Sequence, residues 1–182
     1  WKHILWTDKN LPKDFTLKKE YHGTNLPTEM RDNTGRRADV LRASVLWKYG
    51  GLYLDTDVEA LKPIDNLLKN YELVLGNEYP KEGYVDSPPY VKQKISIPIL
   101  GWIGNAVIAS TPQSKFMKIP LQLIVRRHTN KGFRDLNMEK VSIYSIPKIS
   151  GPALWNDSFF DFTEGDPMLY WNNPKVKVYP SS

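Results

Sequence analysis

Two aspartates separated by a single residue are the first feature of this sequence that could do chemistry. Asp55 and Asp57 lie near the end of the stretch Leu52-Tyr53-Leu54-Asp55-Thr56-Asp57-Val58, and in a strand alternate side chains point to the same face. Two carboxylates on one face repel each other unless a cation lies between them. Oxygen ligands of this kind suit Mg²⁺ or Mn²⁺, especially where a substrate phosphate completes the shell. A pair of solvated acids at an exposed strand end is the simpler interpretation of an isolated D-x-D.

A helix must come immediately before this strand. Apolar residues recur there at intervals of three and four, which predicts an α-helix over residues 37–49: Ala38, Leu41, Val45 and Tyr49. At 100° per residue, Asp39 and Arg42 lie beside this apolar stripe, at the margin of a core, where a charge needs a partner or a ligand. Gly50-Gly51 then ends the helix, because glycine accepts a left-handed backbone. Asp32 or Thr34 is predicted to cap its start.

The strand that follows is predicted to run from Leu52 to Val58 with two different faces. One face enters the core, and it carries Leu52, Leu54, Thr56 and Val58. The other face carries Tyr53, Asp55 and Asp57.

These motifs together resemble a known family. The segments R-A-D-x-x-R (Arg37 to Arg42), G-G-x-Y-x-D-x-D (Gly50 to Asp57) and Leu61-Lys62-Pro63 look like the DXD sugar-binding glycosyltransferases, glycosyltransferase family 32. The same core is similar to the catalytic domain of the clostridial glucosylating toxins. The resemblance implies a GT-A-like (Rossmann-like) α/β fold, with a mixed, mostly parallel sheet flanked by helices in a single domain over residues 1–182.

The resemblance also implies an activity. It predicts a retaining hexosyltransferase that uses a nucleotide-diphosphate sugar, with a UDP-sugar favoured over GDP-mannose, and a glycan or other hydroxyl acceptor. Asp55 and Asp57 would hold Mn²⁺ or Mg²⁺ against the donor diphosphate. Asp39 and Arg42 would bind sugar and ribose hydroxyls, and these four residues are the predicted catalytic set. Tyr53 would line the nucleotide side.

Further donor-binding residues are predicted on both sides of this core. The segment from Lys2 to Asp8 is predicted to be a first strand, at whose end Trp6, followed by Thr7, resembles the family's residue beside the donor base. An aromatic side chain at a strand end can stack on a base, and burial of Trp6 in the core is an equally good interpretation. Asn105 resembles the family's Asn near the donor and acceptor.

The second half of the chain carries a further motif. Ser150-Gly151-Pro152 resembles the family's Thr-Gly-Pro, and a helix opened by Gly151 and Pro152 would place backbone N–H groups where a phosphate or sugar hydroxyl could meet them. The family's later Ser-Trp segment is expected to be missing after Ser182. Residues 77–98, which begin Asn77-Glu78-Tyr79-Pro80, are predicted to be an irregular acceptor-side flap or a plain surface insertion.

Composition sets the outer bounds. The 182 residues include 25 Lys and Arg against 20 Asp and Glu, a net charge of +5 that suits a phosphate-bearing ligand and gives little support for nucleic acid. The absence of cysteine excludes disulfides and fits a reducing compartment, so a cytoplasmic location is predicted, with an upstream membrane anchor or the Golgi lumen left open. No apolar run approaches the ~20 residues of a membrane span.

Two other functions fit part of the pattern. A haloacid-dehalogenase-like phosphatase also ends a strand in D-x-D, but it prefers Thr or Val where this chain has Glu59. A non-catalytic nucleotide-sugar-binding module is the second alternative, and it would bind the donor without turnover.

Overall fold

The computed structural model describes residues 2–78, 102–136, 145–165 and 173–179. These residues form helices and one sheet, so the predicted α/β class is confirmed. Helices are α1 (Lys18–His22), α2 (Thr28–Arg31), α3 (Thr34–Tyr49), α4 (Asp65–Leu68), α5 (Lys115–Arg127), α6 (Asn130–Asp135), α7 (Ile146–Ile149) and α8 (Pro152–Phe162). Strands are β1 (Gly51–Leu54), β2 (Leu73–Glu78), β3 (Trp102–Ser110) and β4 (Val176–Tyr179). The prediction of a single domain over residues 1–182 stays a prediction.

The four described strands form a mixed sheet in the order β1-β3-β2-β4. Strand β3 is antiparallel to both β1 and β2, and only β2 and β4 pair in parallel. A mostly parallel sheet is therefore not confirmed by these strands. Because β1 and β2 both run against β3, their carboxyl ends reach the same edge of the sheet.

Helix α3 runs through the middle of the core. Its residues 39–46 are all buried, and they include Asp39 and Arg42 together with Val40 and Leu46. The charged pair thus lies inside the core, deeper than the predicted margin. Asn33, rather than Asp32 or Thr34, caps the helix, because its side chain accepts a hydrogen bond from the Arg36 N–H.

The core lies on one face of the sheet. Residues that point to this face from three strands share one apolar cluster with α3, α5 and α8, and the cluster includes Leu75, Ile103, Ile108, Leu46, Phe116 and Trp155. Helix α5 is a single helix through Pro120, which therefore does not divide it. Its start is capped by Ser114, whose hydroxyl accepts the Met117 N–H.

The predicted first strand over Lys2 to Asp8 is wrong. Residues 2–6 have no regular structure, and Ile4 and Leu5 are 47% and 72% exposed. The Asn10 side chain occupies the backbone groups that a strand would pair, because its amide donates to the Leu5 carbonyl and its oxygen accepts the Thr7 N–H. A local side-chain contact of this kind competes with a strand ladder.

The predicted strand over Leu52 to Val58 is too long, and its faces are reversed. Strand β1 ends at Leu54, because the Val58 N–H donates to the Asp55 carbonyl and closes a turn. Tyr53 lies opposite Ile108 of β3, so it points to the same face as that core residue and packs against the core. Leu54, predicted to be buried, is 37% exposed.

Candidate active site

Arg42 links two carboxylates that come from different elements. Its Nη2 lies 2.8 Å from Oδ1 of Asp55 after β1, and its Nη1 lies 3.3 Å from Oδ1 of Asp39, one turn earlier in α3. The guanidinium group also lies over the Tyr53 ring, 4.4 Å from its centroid. Arg42 is only 3% exposed. A planar fork of donors suits this bridging position, because it can reach two acids at once.

Tyr53 completes the contact at Asp55. Its hydroxyl donates to Oδ1 of Asp55 at 2.8 Å and accepts from Nη2 of Arg42 at 3.2 Å. Burial raises the pKa of Tyr53 above its ordinary value, with Arg42 opposing that rise, so the phenol stays protonated. The first acid of the D-x-D is therefore held in one orientation by two donors.

Asp39 is contacted by side chains from three parts of the chain. Besides Arg42, its carboxylate accepts from Nδ2 of Asn105 on β3 and from Oγ of Ser150 before α8, each at 3.1 Å. Burial raises the pKa of Asp39 to about 7, and Arg42 and Ser150 oppose the shift. The neutral form of Asp39 is therefore favoured by its buried position far more than that of an exposed aspartate.

The D-x-D itself lies at the edge of the sheet where β1 ends. The Asp55 N–H donates to the Ala106 carbonyl at 2.9 Å, which ties the first acid to β3. Asp57 follows in the turn and is exposed. The two acids therefore differ, since Asp55 is fixed by the protein while Asp57 faces solvent.

The two aspartates fit a hard divalent cation by their donor chemistry. Asp55 Oδ1 is occupied by Arg42 and Tyr53, whereas its Oδ2 and the exposed Asp57 carboxylate accept no hydrogen bond from the described residues. Across residues 2–78, 102–136, 145–165 and 173–179 there is no cluster of three or more His, Asp or Glu side chains that could hold a metal. Of the described residues, the D-x-D would contribute two carboxylates to such an ion, a number that suits Mg²⁺ where water and phosphate oxygens complete its shell.

Gly151 and Pro152 begin α8 directly after Ser150. A Cβ on Gly151 would lie 2.8 Å from the Pro147 Cα, so glycine allows the close packing that brings the Ser150 hydroxyl to Asp39. Ser150 is a site residue that sequence reasoning missed as such. Its signal was present in the Ser-Gly-Pro motif, but nothing in that motif names its partner 111 positions earlier.

Trp6 and Thr7 are not brought into this cluster by their described contacts. Trp6 stacks on Tyr49 at the end of α3, with ring centroids 6.0 Å apart, and the N–H and hydroxyl of Thr7 bond to the Asn10 side chain. The role of these two residues beside a nucleotide stays a prediction.

A second concave region lies elsewhere in the molecule. A cavity of about 230 Å³ is lined by residues of α5, α6 and α8, including Arg127 and Asp157, which form an ion pair at 2.5 Å. None of the residues that line it belongs to the Asp39–Arg42–Asp55 cluster. The residues predicted to do chemistry therefore lie at the open edge of the sheet and do not line this cavity.

Comparison with known protein families agrees with the geometry of this edge. Residues 1–74 match the family described as "Glycosyltransferase sugar-binding region containing DXD motif", and that segment contains Asp39, Arg42, Asp55 and Asp57. Residues 1–74 therefore resemble the sugar-binding region of the DXD glycosyltransferases. The predicted resemblance to this family is confirmed over that segment, and the names of the relatives and of the structural neighbour support a transferase.

Relatives of the DXD glycosyltransferase region have glycosyltransferase names. Inositol phosphoceramide mannosyltransferase 3 of Schizosaccharomyces pombe is 34% identical over 73 residues, which are 37% of this chain and 18% of the relative. Human alpha-1,4-N-acetylglucosaminyltransferase is 32% identical over 82 residues, 45% of this chain and 23% of the relative. The matched part of the chain thus spans less than a quarter of each of these relatives.

A solved structure extends the likeness beyond the DXD region. The PaToxG glycosyltransferase superposes with a TM-score of 0.50 at 17% identity, covering 81% of this chain and 42% of that one. At this identity the likeness concerns the fold, and it fits the predicted GT-A-like architecture.

No helix within the described ranges combines the length and the apolar character needed to cross a membrane. The predicted cytoplasmic location is not confirmed by any of the comparisons.

Proposed function

We propose that this chain is the donor-binding core of a retaining, metal-dependent glycosyltransferase that moves a hexosyl unit from a UDP-sugar to a hydroxyl of a glycan or other acceptor. The observation that supports this most is the buried Arg42, which joins Asp39 of α3 to Asp55 of the D-x-D. An ion pair with a purely structural role would need only one acid beside Arg42. Two acids around one cation, at the open edge of a sheet, provide charged and polar atoms for a ligand.

The metal role is assigned to the D-x-D. Asp57 and the free oxygen of Asp55 would hold Mn²⁺ or Mg²⁺, and that ion, when bound, would stabilise the negative charge that develops on the leaving nucleotide. Arg42 and Tyr53 keep Asp55 in place, so the ion would meet one carboxylate whose orientation is already set. Prior fixation of this kind reduces the reorganisation that the reaction requires.

The sugar role is assigned to the interior side of the site. Arg42 Nε is a buried donor without a hydrogen bond to any described residue, and Nη1, although it forms an ion pair with Asp39, makes no hydrogen bond to a described residue either. Together with Asp39 and Asn105 they could position hydroxyls of the sugar and ribose, which fixes the anomeric carbon for attack. The Asp39 carboxylate is already engaged by Arg42, Asn105 and Ser150, and for that reason we propose front-face displacement with retention and no covalent intermediate on this acid.

The test is nucleotide release from a panel of donors. The panel contains UDP-glucose, UDP-N-acetylglucosamine and GDP-mannose, each with and without Mn²⁺, and it includes the sugars in the names of the relatives. Release from one donor, dependent on Mn²⁺, is expected. Phosphate release from a phosphomonoester, with no nucleotide release from any donor, would instead favour the phosphatase alternative.

The Asp57→Asn variant tests the metal role. We expect nucleotide release to fall by about 100-fold or more, since metal stabilisation is worth several kcal/mol in the transition state. Stability should change by less than ~0.5 kcal/mol, because Asp57 is exposed. Glu59→Gln, an exposed acid two residues later, is the matched control and should release nucleotide as the wild type does. Unchanged release in Asp57→Asn would refute the assignment.

A further inference from the structure

Asn77 is a buried polar residue that the proposed reaction has not yet used. It lies near the carboxyl end of β2 and is 5% exposed, and its Oδ1 is buried without a hydrogen-bond partner among the described residues. Burying an amide oxygen unpaired costs free energy. A buried acceptor of this kind at a ligand-binding edge is therefore a group that a ligand could satisfy.

The sheet places Asn77 beside the site. It lies opposite Ile103 of β3, so the two side chains share a face. Strand β3 is irregular between Ile103 and Ile108, so the position of Asn105 is given by its contact: its amide reaches Asp39 of α3, on the side of the sheet where Ile103 and α3 share the core cluster. Because β1 and β2 end at the same edge, Asn77 and the D-x-D lie there on opposite sides of β3.

The polar groups around Asn77 already have partners. The Ile103 N–H donates to Oδ1 of Asn156 on α8 at 2.9 Å, and the Asn105 amide donates to Asp39. Neither group makes a hydrogen bond to Asn77, whose Oδ1 has no partner. Within the described part of the chain, the Asn77 oxygen is thus the acceptor on this face that is left to be filled from outside.

We propose that Asn77 is a specificity-determining residue whose amide oxygen accepts a hydrogen bond from a hydroxyl of the donor hexose. This inference rests on the proposed function. The hexose, rather than the diphosphate, is assigned because Asn77 shares the face of Asp39 and Asn105, whereas the D-x-D that would meet the phosphates lies across β3. A site that hydrogen-bonds a hydroxyl rejects a sugar that lacks it, since its own polar group would be left unpaired.

The experiment compares stability with two binding constants. Asn77→Leu keeps a similar side-chain volume and removes the amide. Ser44→Ala is the control, because the Ser44 hydroxyl is also buried without a partner among described residues but points away from Arg42, 200° around α3. For each protein we would measure the melting temperature and the Kd of UDP with Mn²⁺. We would also measure the Kd of the nucleotide sugar (UDP- or GDP-linked) from which wild type releases its nucleotide fastest.

The proposal predicts that Asn77→Leu weakens nucleotide-sugar binding but neither lowers the melting temperature nor weakens UDP binding. The melting temperature should equal or exceed that of wild type, UDP binding should stay within about twofold, and the nucleotide sugar should bind at least tenfold more weakly. Ser44→Ala should leave both Kd values unchanged. A lower melting temperature with equal losses for UDP and nucleotide sugar would show a structural role and overturn the proposal, as would unchanged sugar binding. Failure of the wild type itself to bind any nucleotide would refute the proposed function, and this inference with it.

Discussion

The Arg42 side chain contacts more of the predicted site residues than any other side chain described above. It faces both carboxylates and the Tyr53 ring from a position that is 3% exposed. Its value depends on shape as well as charge, because a guanidinium group can address two acids while an ammonium group acts as a single point.

We therefore expect Arg42→Lys to lose activity although the charge is retained. Nucleotide release should fall by about 100-fold, and the free energy of unfolding should drop by roughly 1–3 kcal/mol, the usual value of hydrogen bonds to charged groups. Donor-release kinetics and urea unfolding would measure these two effects. Arg134→Lys, at an exposed position on α6, is the control and should alter neither. Wild-type release by Arg42→Lys would mean that bridging is not required.

At the residue scale the sequence predicted the acids and Arg42 as site residues, but it did not predict their hydrogen-bond partners. Asp39, Arg42 and Asp55 followed from motif and periodicity, which are local signals. The contact from Ser150 to Asp39 spans 111 positions, and no local pattern encodes such a pair. Asn77 was predicted to begin the irregular segment 77–98, yet it belongs to β2, because its backbone pairs with Ile103 of β3. Residues 79–98 of that segment lie outside the described residues.

Helix α3 and strand β1 are joined by two glycines that differ in their backbone angles and in the space around them. Gly50 has φ +63° and ψ −155°, a region that is essentially restricted to glycine. A Cβ there would come within 2.6 Å of Cδ and N of Pro112. Gly51 has φ +93°, but a Cβ on it would meet no atom within 4 Å.

This contrast predicts unequal costs for two identical substitutions. Gly51→Ala should destabilise by roughly 1 kcal/mol through backbone strain alone. Gly50→Ala adds a collision with Pro112, so we expect a loss of about 3 kcal/mol or more and a parallel loss of nucleotide release, because Asp55 moves relative to Arg42. Urea unfolding of both variants measures the difference. Equal destabilisation would show that the contact with Pro112 does not constrain the turn.

At the scale of elements, prediction succeeded where periodicity was long and failed at strand ends. The sixteen residues of α3 give several turns of signal, and the glycine pair marks the end of the helix. The end of β1 and the absence of a first strand depend on single contacts, the Val58–Asp55 turn and the Asn10 side chain. Contacts of this size leave no periodic trace in the sequence.

Two buried groups make the stability of the whole molecule depend on pH in opposite directions. Burial raises the pKa of Asp39 from 3.8 to about 7, so the folded chain keeps a proton that the unfolded chain loses, and stability falls as pH rises through this range. Burial lowers the pKa of His128 from 6.5 to about 4, so the unfolded chain binds the extra proton, and stability is lost as pH falls from 6.5 towards 4.

We therefore expect a nearly flat stability profile for wild type between about pH 4 and 6.5. Asp39→Asn should show stability that rises with pH, because only the His128 contribution remains. His128→Gln should show stability that falls with pH. Each slope is limited to ~1.4 kcal/mol per pH unit for one group. Urea midpoints measured across this range test the prediction, and three parallel curves would contradict it.

The division of the site between two parts of the chain has a consequence for how relatives diverge. The segment shared with the DXD family ends at residue 74, so it carries Asp39, Arg42 and Asp55 but neither Asn105 nor Ser150, which complete the hydrogen bonds of Asp39. Inheritance of Asp39, Arg42 and Asp55 is thereby uncoupled from inheritance of Asn105 and Ser150, the partners of Asp39. A chimera that keeps residues 1–74 and takes its remaining chain from a relative would retain the Arg42–Asp55 pair while exchanging the surroundings of Asp39. Changes of sugar preference during evolution are then expected to be recorded after residue 74, outside the segment that matches the family.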